Sequence, residues 1–262
     1  MGTRFLFMLY TAAIVALLFS CSSKKENKPR LTPEKNKGNI VYIFPEGLSE
    51  QHKDSLAAKC REAVNIGLKV VNDSVFNENI TVHFLNTRDE IKALTGMRVS
   101  GLAYPERKTL YSLSGLKEAP ITHEMMHMIV LLKWGVPSND CFWMNEGIAT
   151  LADNNCNGYT VREIYRYLMA NNQLVPIEQL AGDFYKQPEM IAYHQCAYWV
   201  QYLLETYGVE QFKTLWRSGF SRFASIYGRS FQQVKDSADA RAVQLTTDVP
   251  PINWKTFEQG CF

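Results

Sequence analysis

Cysteine is scarce in these 262 residues, six in all, and no two of them form a C-x-x-C pair. That absence argues against a structural zinc site built on cysteine. Histidine is scarcer still, with five, so imidazole chemistry has few residues to draw on. Charge is nearly balanced, 28 basic residues against 26 acidic, and the small excess is local. Residues 22–38 hold six basic and two acidic side chains, which with Arg4 leaves residues 39–262 near −3. A chain so balanced has no basic footprint for nucleic acid. Long apolar runs are missing too, apart from Phe5 to Phe19. That run, behind the positive Arg4, has the length and flanks of a targeting segment and falls short of a spanning helix.

What the chain does contain is centred on Thr122-His123-Glu124-Met125-Met126-His127. In a helix, His123 and His127 lie one turn apart on one face. Two imidazoles so placed can bind one Zn²⁺, and Glu124 on the neighbouring edge can reach a water that the metal activates. Pro120 suits a first helical turn, where its missing N–H costs nothing. From Ile121 to Leu132 there is no Gly, no Pro and no charge except Glu124. A helix apolar all round is buried, and a lone carboxylate in it is costly without a metal or a partner. The competing reading is a core helix with two hydrogen-bonded histidines and no metal.

A third ligand favours the metal. Eighteen residues, 128–145, separate His127 from Glu146, which lies within Trp143-Met144-Asn145-Glu146-Gly147-Ile148-Ala149. Catalytic zinc takes three protein ligands and an open fourth position, and two histidines with one glutamate form a known set. Gly147 and Ala149 are small enough to let this second helix approach the first. With HEMMH at 123–127 and WMNEGIA at 143–149, the chain resembles the gluzincin metallopeptidases (the MA-like clan that includes thermolysin and the M1 aminopeptidases). The resemblance implies an α+β fold of thermolysin-like type, with a small mixed sheet packed on the zinc helix and a helical lobe after it. It also implies Zn²⁺ held by His123, His127 and Glu146, Glu124 as general base and later acid, and a peptide or protein substrate.

The resemblance has gaps. The chain lacks the G-x-M-E-N string that anchors a substrate amino terminus in M1 aminopeptidases, so an endopeptidase is expected over an aminopeptidase. Tyr193-His194-Gln195-Cys196-Ala197 resembles the M1 Y-x-K-G-A segment only in its tyrosine. Tyr193 is therefore the candidate oxyanion donor, with Tyr198 and Tyr202 as competitors and His194 a weaker one. Thermolysin-like members carry an aspartate four residues past the third ligand; here that position is Thr150, so either Thr150 orients a histidine or another group does. In this fold an edge strand before the zinc helix binds substrate backbone, a role open to Gly101–Tyr104 or Thr109–Leu113.

Elsewhere, Leu18-Phe19-Ser20-Cys21 resembles a bacterial lipobox, implying cleavage before Cys21, its lipidation, and a membrane-anchored chain. Ser22 resembles the residue that follows in outer-membrane-sorted lipoproteins, so the cell envelope is the expected location. The organisation expected is residues 1–20 as signal peptide, 21–38 as lipidated cysteine and basic tether, 39–117 as an α/β subdomain, and 118–262 as a mainly helical one. The tether is too poor in large apolar residues to bury a core. Strands are expected at Asn39–Phe44, Ile80–Leu85, Val99–Tyr104 and Lys108–Leu113. Helix caps are expected at Ser49, Thr87 and Thr160. With Cys21 lipidated, five cysteines remain, so at least one stays unpaired unless another chain supplies a partner. Cys141 and Cys156 bracket Glu146 and could staple its segment; Cys60 reads as a buried thiol. Beside the peptidase, two other classes remain: a zinc-binding lipoprotein without proteolysis, serving as an envelope binding or assembly module, and a zinc-free scaffold.

Overall fold

A computed structural model describes residues 31–33, 39–117 and 119–261 of the chain. The signal segment, Cys21 and most of the expected tether lie outside these residues. Strand β1 (Leu31–Pro33) does not; it pairs antiparallel with β2 (Ile40–Pro45), so this part of the span read as a tether is sheet. Among the described residues no helix is long and apolar enough to cross a membrane.

The sheet follows from period-2 patterning. In β2 and in β3 (Ile80–Leu85), Ile40, Tyr42, Phe44, Ile80, Val82 and Phe84 all turn to the main core, as alternate residues of a strand must. Strand β4 (Gly101–Tyr104) and strand β5 (Thr109–Leu113), joined by one turn over Pro105–Arg107, complete the order β1-β2-β3-β5-β4. Strands β2, β3 and β5 run parallel, and β1 and β4 lie antiparallel on the two edges. The parallel step from β2 to β3 needs a crossover, which α1 (Glu50–Val70) supplies, capped by Ser49 Oγ on the His52 amide. The short α2 (Arg88–Thr95) begins with a reciprocal Thr87–Glu90 capping box and covers the other sheet face, where Ile91 meets Leu85, Tyr111 and Leu113.

Helix α3 (Ile121–Trp134) packs beside α1, β4 and β5, and α4 (Phe142–Asp153) packs against it. Then come α5 (Val161–Ala170), α6 (Ile177–Gly182), α7 (Glu189–Tyr207), α8 (Val209–Ser218), α9 (Phe223–Tyr227), α10 (Phe231–Leu245) and α11 (Trp254–Phe257). One hydrophobic core runs from the sheet residues through α3, α4 and α7 to α10. The architecture is thus mixed α+β, a small sheet followed by mostly helical chain.

Two sequence expectations need correction here. Gly147 does not ease α4 toward α3: a Cβ there would meet the carbonyl oxygen of Cys196 at 2.8 Å, so the glycine serves the α4–α7 contact. Cys141 and Cys156 are not bonded. Cys156 pairs with Cys261, 105 residues later, while Cys141 is a buried thiol facing the carbonyl of Leu215. Cys60 and Cys196 are buried thiols as well.

Candidate metal centre

The central geometry comes from two helices. His123 and His127 sit one turn apart on α3, and Glu146 reaches them from α4. The Nε2 atoms of the two histidines are 3.0 Å apart. Glu146 Oε2 is 3.4 Å from Nε2 of His123 and 3.2 Å from Nε2 of His127. A tetrahedral zinc ion with ligand distances of 2.0–2.1 Å sets its N and O donors about 3.3 Å apart. The triangle already has that size, so the three side chains could hold a metal ion without rearrangement.

A second group bonds each of His127 and Glu146, and a carboxylate faces His123. His127 Nδ1 lies 3.1 Å from Asn145 Oδ1, the residue just before Glu146. A side-chain amide oxygen only accepts, which places the proton on Nδ1 and frees Nε2 for a metal. His123 Nδ1 faces Asp153 Oδ2 at 3.9 Å, and the Thr122 side chain also bonds Asp153. Asp153 lies seven residues past Glu146, two turns along the same helix face. The carboxylate facing His123 therefore comes from the end of α4, and Thr150, whose buried Oγ1 has no hydrogen-bond partner among the described residues, does not orient the ring. The remaining oxygen of Glu146, Oε1, accepts a 2.8 Å hydrogen bond from the hydroxyl of Tyr185. Sequence reasoning missed Tyr185 altogether.

Glu124 is buried beside this group and accepts a hydrogen bond from the Ala103 amide of β4. Space for its side chain depends on Gly101, where a Cβ would come within 2.9 Å of Glu124 Oε1 and 2.7 Å of its Cγ. Strand β4 is the sheet edge and β5 is interior, which removes Thr109–Leu113 from the edge-strand role. Leu113 N donates to Ser100 O, and Leu102 faces Tyr111 across the pair. Antiparallel alternation then points the peptide groups of Gly101 and Ala103 away from β5, toward Glu124, whose carboxylate takes the Ala103 amide.

Among the tyrosines, Tyr193 stacks near His123, with ring centroids 6.1 Å apart. Tyr198 instead donates to the Ala238 carbonyl, and Tyr202 lies under Arg241. His194 turns from the group, with Nδ1 on Met190 O and Nε2 toward Cys261 Sγ. His83 packs on Tyr111, and His52 contacts the Ser114 carbonyl.

The electrostatics follow from burial and close charge. Burial alone would push the His123 imidazole down; its hydrogen bond to Glu146 and the charges of Glu124, Glu146 and Asp153 outweigh this and raise it to about 9. Burial disfavours ionised Glu146, yet the two histidines hold its carboxyl well below the usual range. Burial raises Glu124, reinforced by Glu146 and opposed by the two histidines and the Ala103 amide. The hydroxyls of Tyr185 and Tyr193 are pushed up by burial first and then by the negative charge of Glu146. Both therefore keep their protons and can only donate to an anion.

No protein-family model and no curated protein matches the chain. Among solved structures, the chain is similar to an M1 zinc metallopeptidase from Deinococcus radiodurans, at 16% identity and a TM-score of 0.40. The match covers 85% of this chain and 52% of that one, so this chain spans about half the length of that enzyme. The functional reading rests on the side chains themselves.

Proposed function

We propose that this chain is a zinc-dependent peptidase that cleaves within extended peptides and is tethered to the cell envelope through a lipid on Cys21. The observation that carries the reading is the convergence of His123, His127 and Glu146 from two helices, with buried Glu124 beside them. A bound Zn²⁺ would supply the Lewis acid, able to acidify a water molecule and polarise a carbonyl.

The chain's own groups provide the rest. An extended substrate lies along β4, its backbone meeting the outward carbonyls of Gly101 and Ala103, while the Ala103 amide stays with Glu124. Glu124 takes the proton of the attacking water and returns it to the leaving amine. The hydroxyl of Tyr193 donates to the oxyanion formed at the scissile carbonyl. Tyr185 holds Oε1 of Glu146 and so leaves Oε2 for the metal. Asn145 accepts from His127 and fixes its ring, and the Asp153 carboxylate faces His123 at 3.9 Å. The missing G-x-M-E-N string favours an endopeptidase over an aminopeptidase.

Glu124→Gln tests this directly, because it keeps the size and burial of the side chain and removes its basicity. The variant is expected to hold zinc as the wild type does and to cleave a broad peptide library at least about 10²-fold more slowly. Cleavage at the wild-type rate would remove Glu124 from the chemistry. Zinc binding without cleavage of any library member by the wild type would favour the non-proteolytic envelope module instead.

A further inference from the structure

A second cluster of metal-ligating side chains has no part in this scheme. Cys156, His194 and Cys261 bring their ligand atoms within 4.8 Å of one another. His194 is buried on α7, and its Nδ1 lies 2.8 Å from the carbonyl of Met190. A carbonyl only accepts, so the ring proton is on Nδ1 and Nε2 carries the lone pair. That nitrogen points at Cys261 Sγ, 3.7 Å away. Packing on Phe257, at 5.1 Å between ring centroids, explains why the ring is buried. It does not explain an unprotonated nitrogen aimed at sulfur.

The cluster does not depend on the Cys156–Cys261 bond to stay assembled. Ile252 and Phe257 pack on Ile164 and Leu168 of α5. Asn157 Nδ2 donates to Gly260 O at 2.9 Å, and the Tyr159 hydroxyl to Pro251 O at 3.2 Å. Cys156 is held by its own backbone bridge to Tyr159. Reduction of the disulfide by a dithiol, which is itself oxidised to a disulfide, adds two electrons and two protons and leaves two thiols beside His194. Tetrahedral zinc separates a sulfur and a nitrogen ligand by about 3.6 Å and two sulfurs by about 3.8 Å. His194 and Cys261 already stand at the first distance. The sulfur pair must open, Cys156 Sγ lies within 4.8 Å of His194 Nε2, and Cys261 is exposed next to Gly260.

We propose that Cys156, His194 and Cys261 form a redox-gated site for a thiophilic divalent cation such as Zn²⁺. As a disulfide the site is closed. As a dithiol it takes the cation on two sulfurs and His194 Nε2, and the two thiol protons leave to solvent. The site is independent of the peptidase reading, since it shares no ligand with His123, His127 and Glu146.

Titration of the full chain with Co²⁺ tests the site, because the thiolate-to-cobalt absorption in the near ultraviolet cannot come from a histidine–glutamate group. After reduction with a phosphine, the band is expected to rise to one equivalent, and the oxidised chain to show none. His194→Gln should weaken binding by roughly tenfold or more. Cys156→Ser/Cys261→Ser should abolish the band while keeping buried Cys60, Cys141 and Cys196. No band in the reduced wild type would overturn the proposal. So would an equal band in the double variant, or unchanged affinity in His194→Gln.

Discussion

Gly101→Ala adds one methyl group where β4 meets the amino end of α3. That methyl would lie 2.5 Å from Pro120 Cγ, 2.7 Å from Glu124 Cγ and 2.9 Å from Glu124 Oε1. Ordinary carbon contacts are about 3.5–4.0 Å, so something must give by about 1 Å. Gly101 is not among the left-handed glycines, and alanine meets no backbone penalty there. The effect is therefore steric. Pro120 is tied into the start of α3, whereas the Glu124 carboxylate is the end of a flexible side chain and yields first. Overpacking of this kind costs about 1–3 kcal/mol of stability. A misplacement of about 1 Å at a reacting group costs about 10² in rate, equivalent to about 2.7 kcal/mol of barrier. None of the three contacts involves His123, His127 or Glu146. The expected result is a folded chain with wild-type zinc content and kcat/KM reduced about 10²-fold. A quenched-fluorescent peptide assay, metal analysis and a urea melt on one preparation read all three quantities. Wild-type kcat/KM in the variant would refute the placement of Glu124, and so would loss of activity in proportion to loss of zinc.

Tyr185→Phe removes the hydrogen bond on Glu146 Oε1 and keeps the ring with its contacts to Phe142 and Phe184. Zinc affinity in a chelator competition should fall about tenfold or more with an unchanged melt; equal affinity would leave Tyr185 without a role at the metal. Asp140 gives a pH test remote from the centre. Its Oδ2 accepts the Phe220 amide at 2.9 Å. Partial burial works against its charge, but bonds from the Ser138 side chain and the Phe220 and Ser221 amides hold its carboxyl below the ordinary value. A depressed carboxyl stabilises the fold above its unfolded pKa of about 3.9 and loses that contribution as pH falls through the folded value. Asp140→Asn should therefore cost about 1–2 kcal/mol at neutral pH, with the gap to wild type closing as urea melts are taken below about pH 4. A gap independent of pH would assign the loss to packing.

The parts of this site that sequence exposes are the parts set by short-range geometry. His123 and His127 are one helical turn apart, and Asn145 and Glu146 are adjacent, so two short strings specify most of the ligand set. The capping residues Ser49, Thr87 and Thr160 act within three residues of themselves and were legible for the same reason. Which of β4 and β5 is the edge depends on strand order, a relation between distant segments that period-2 patterning does not encode. The Cys156–Cys261 pairing closes a loop of more than 100 residues and left no local mark. Tyr185 stands on a single 3-10 turn between α6 and α7, at no fixed offset from any ligand. Asp153 was within reach: an acid seven residues past Glu146 lies on the same face of α4, and extending the helix to Asp153 would have found it. Gly147 pointed to a close helix contact, but not to its partner.

The central claim is that His123, His127 and Glu146 bind one metal ion together. X-ray absorption at the zinc edge on the purified full chain, wild type and Glu146→Ala, tests it most directly. The expected wild-type spectrum has two imidazole nitrogens and oxygen ligands at about 2.0–2.1 Å and no sulfur, with zinc lost or greatly weakened in Glu146→Ala. An unchanged spectrum and zinc content in Glu146→Ala would contradict the claim, as would a wild-type chain that takes up no zinc.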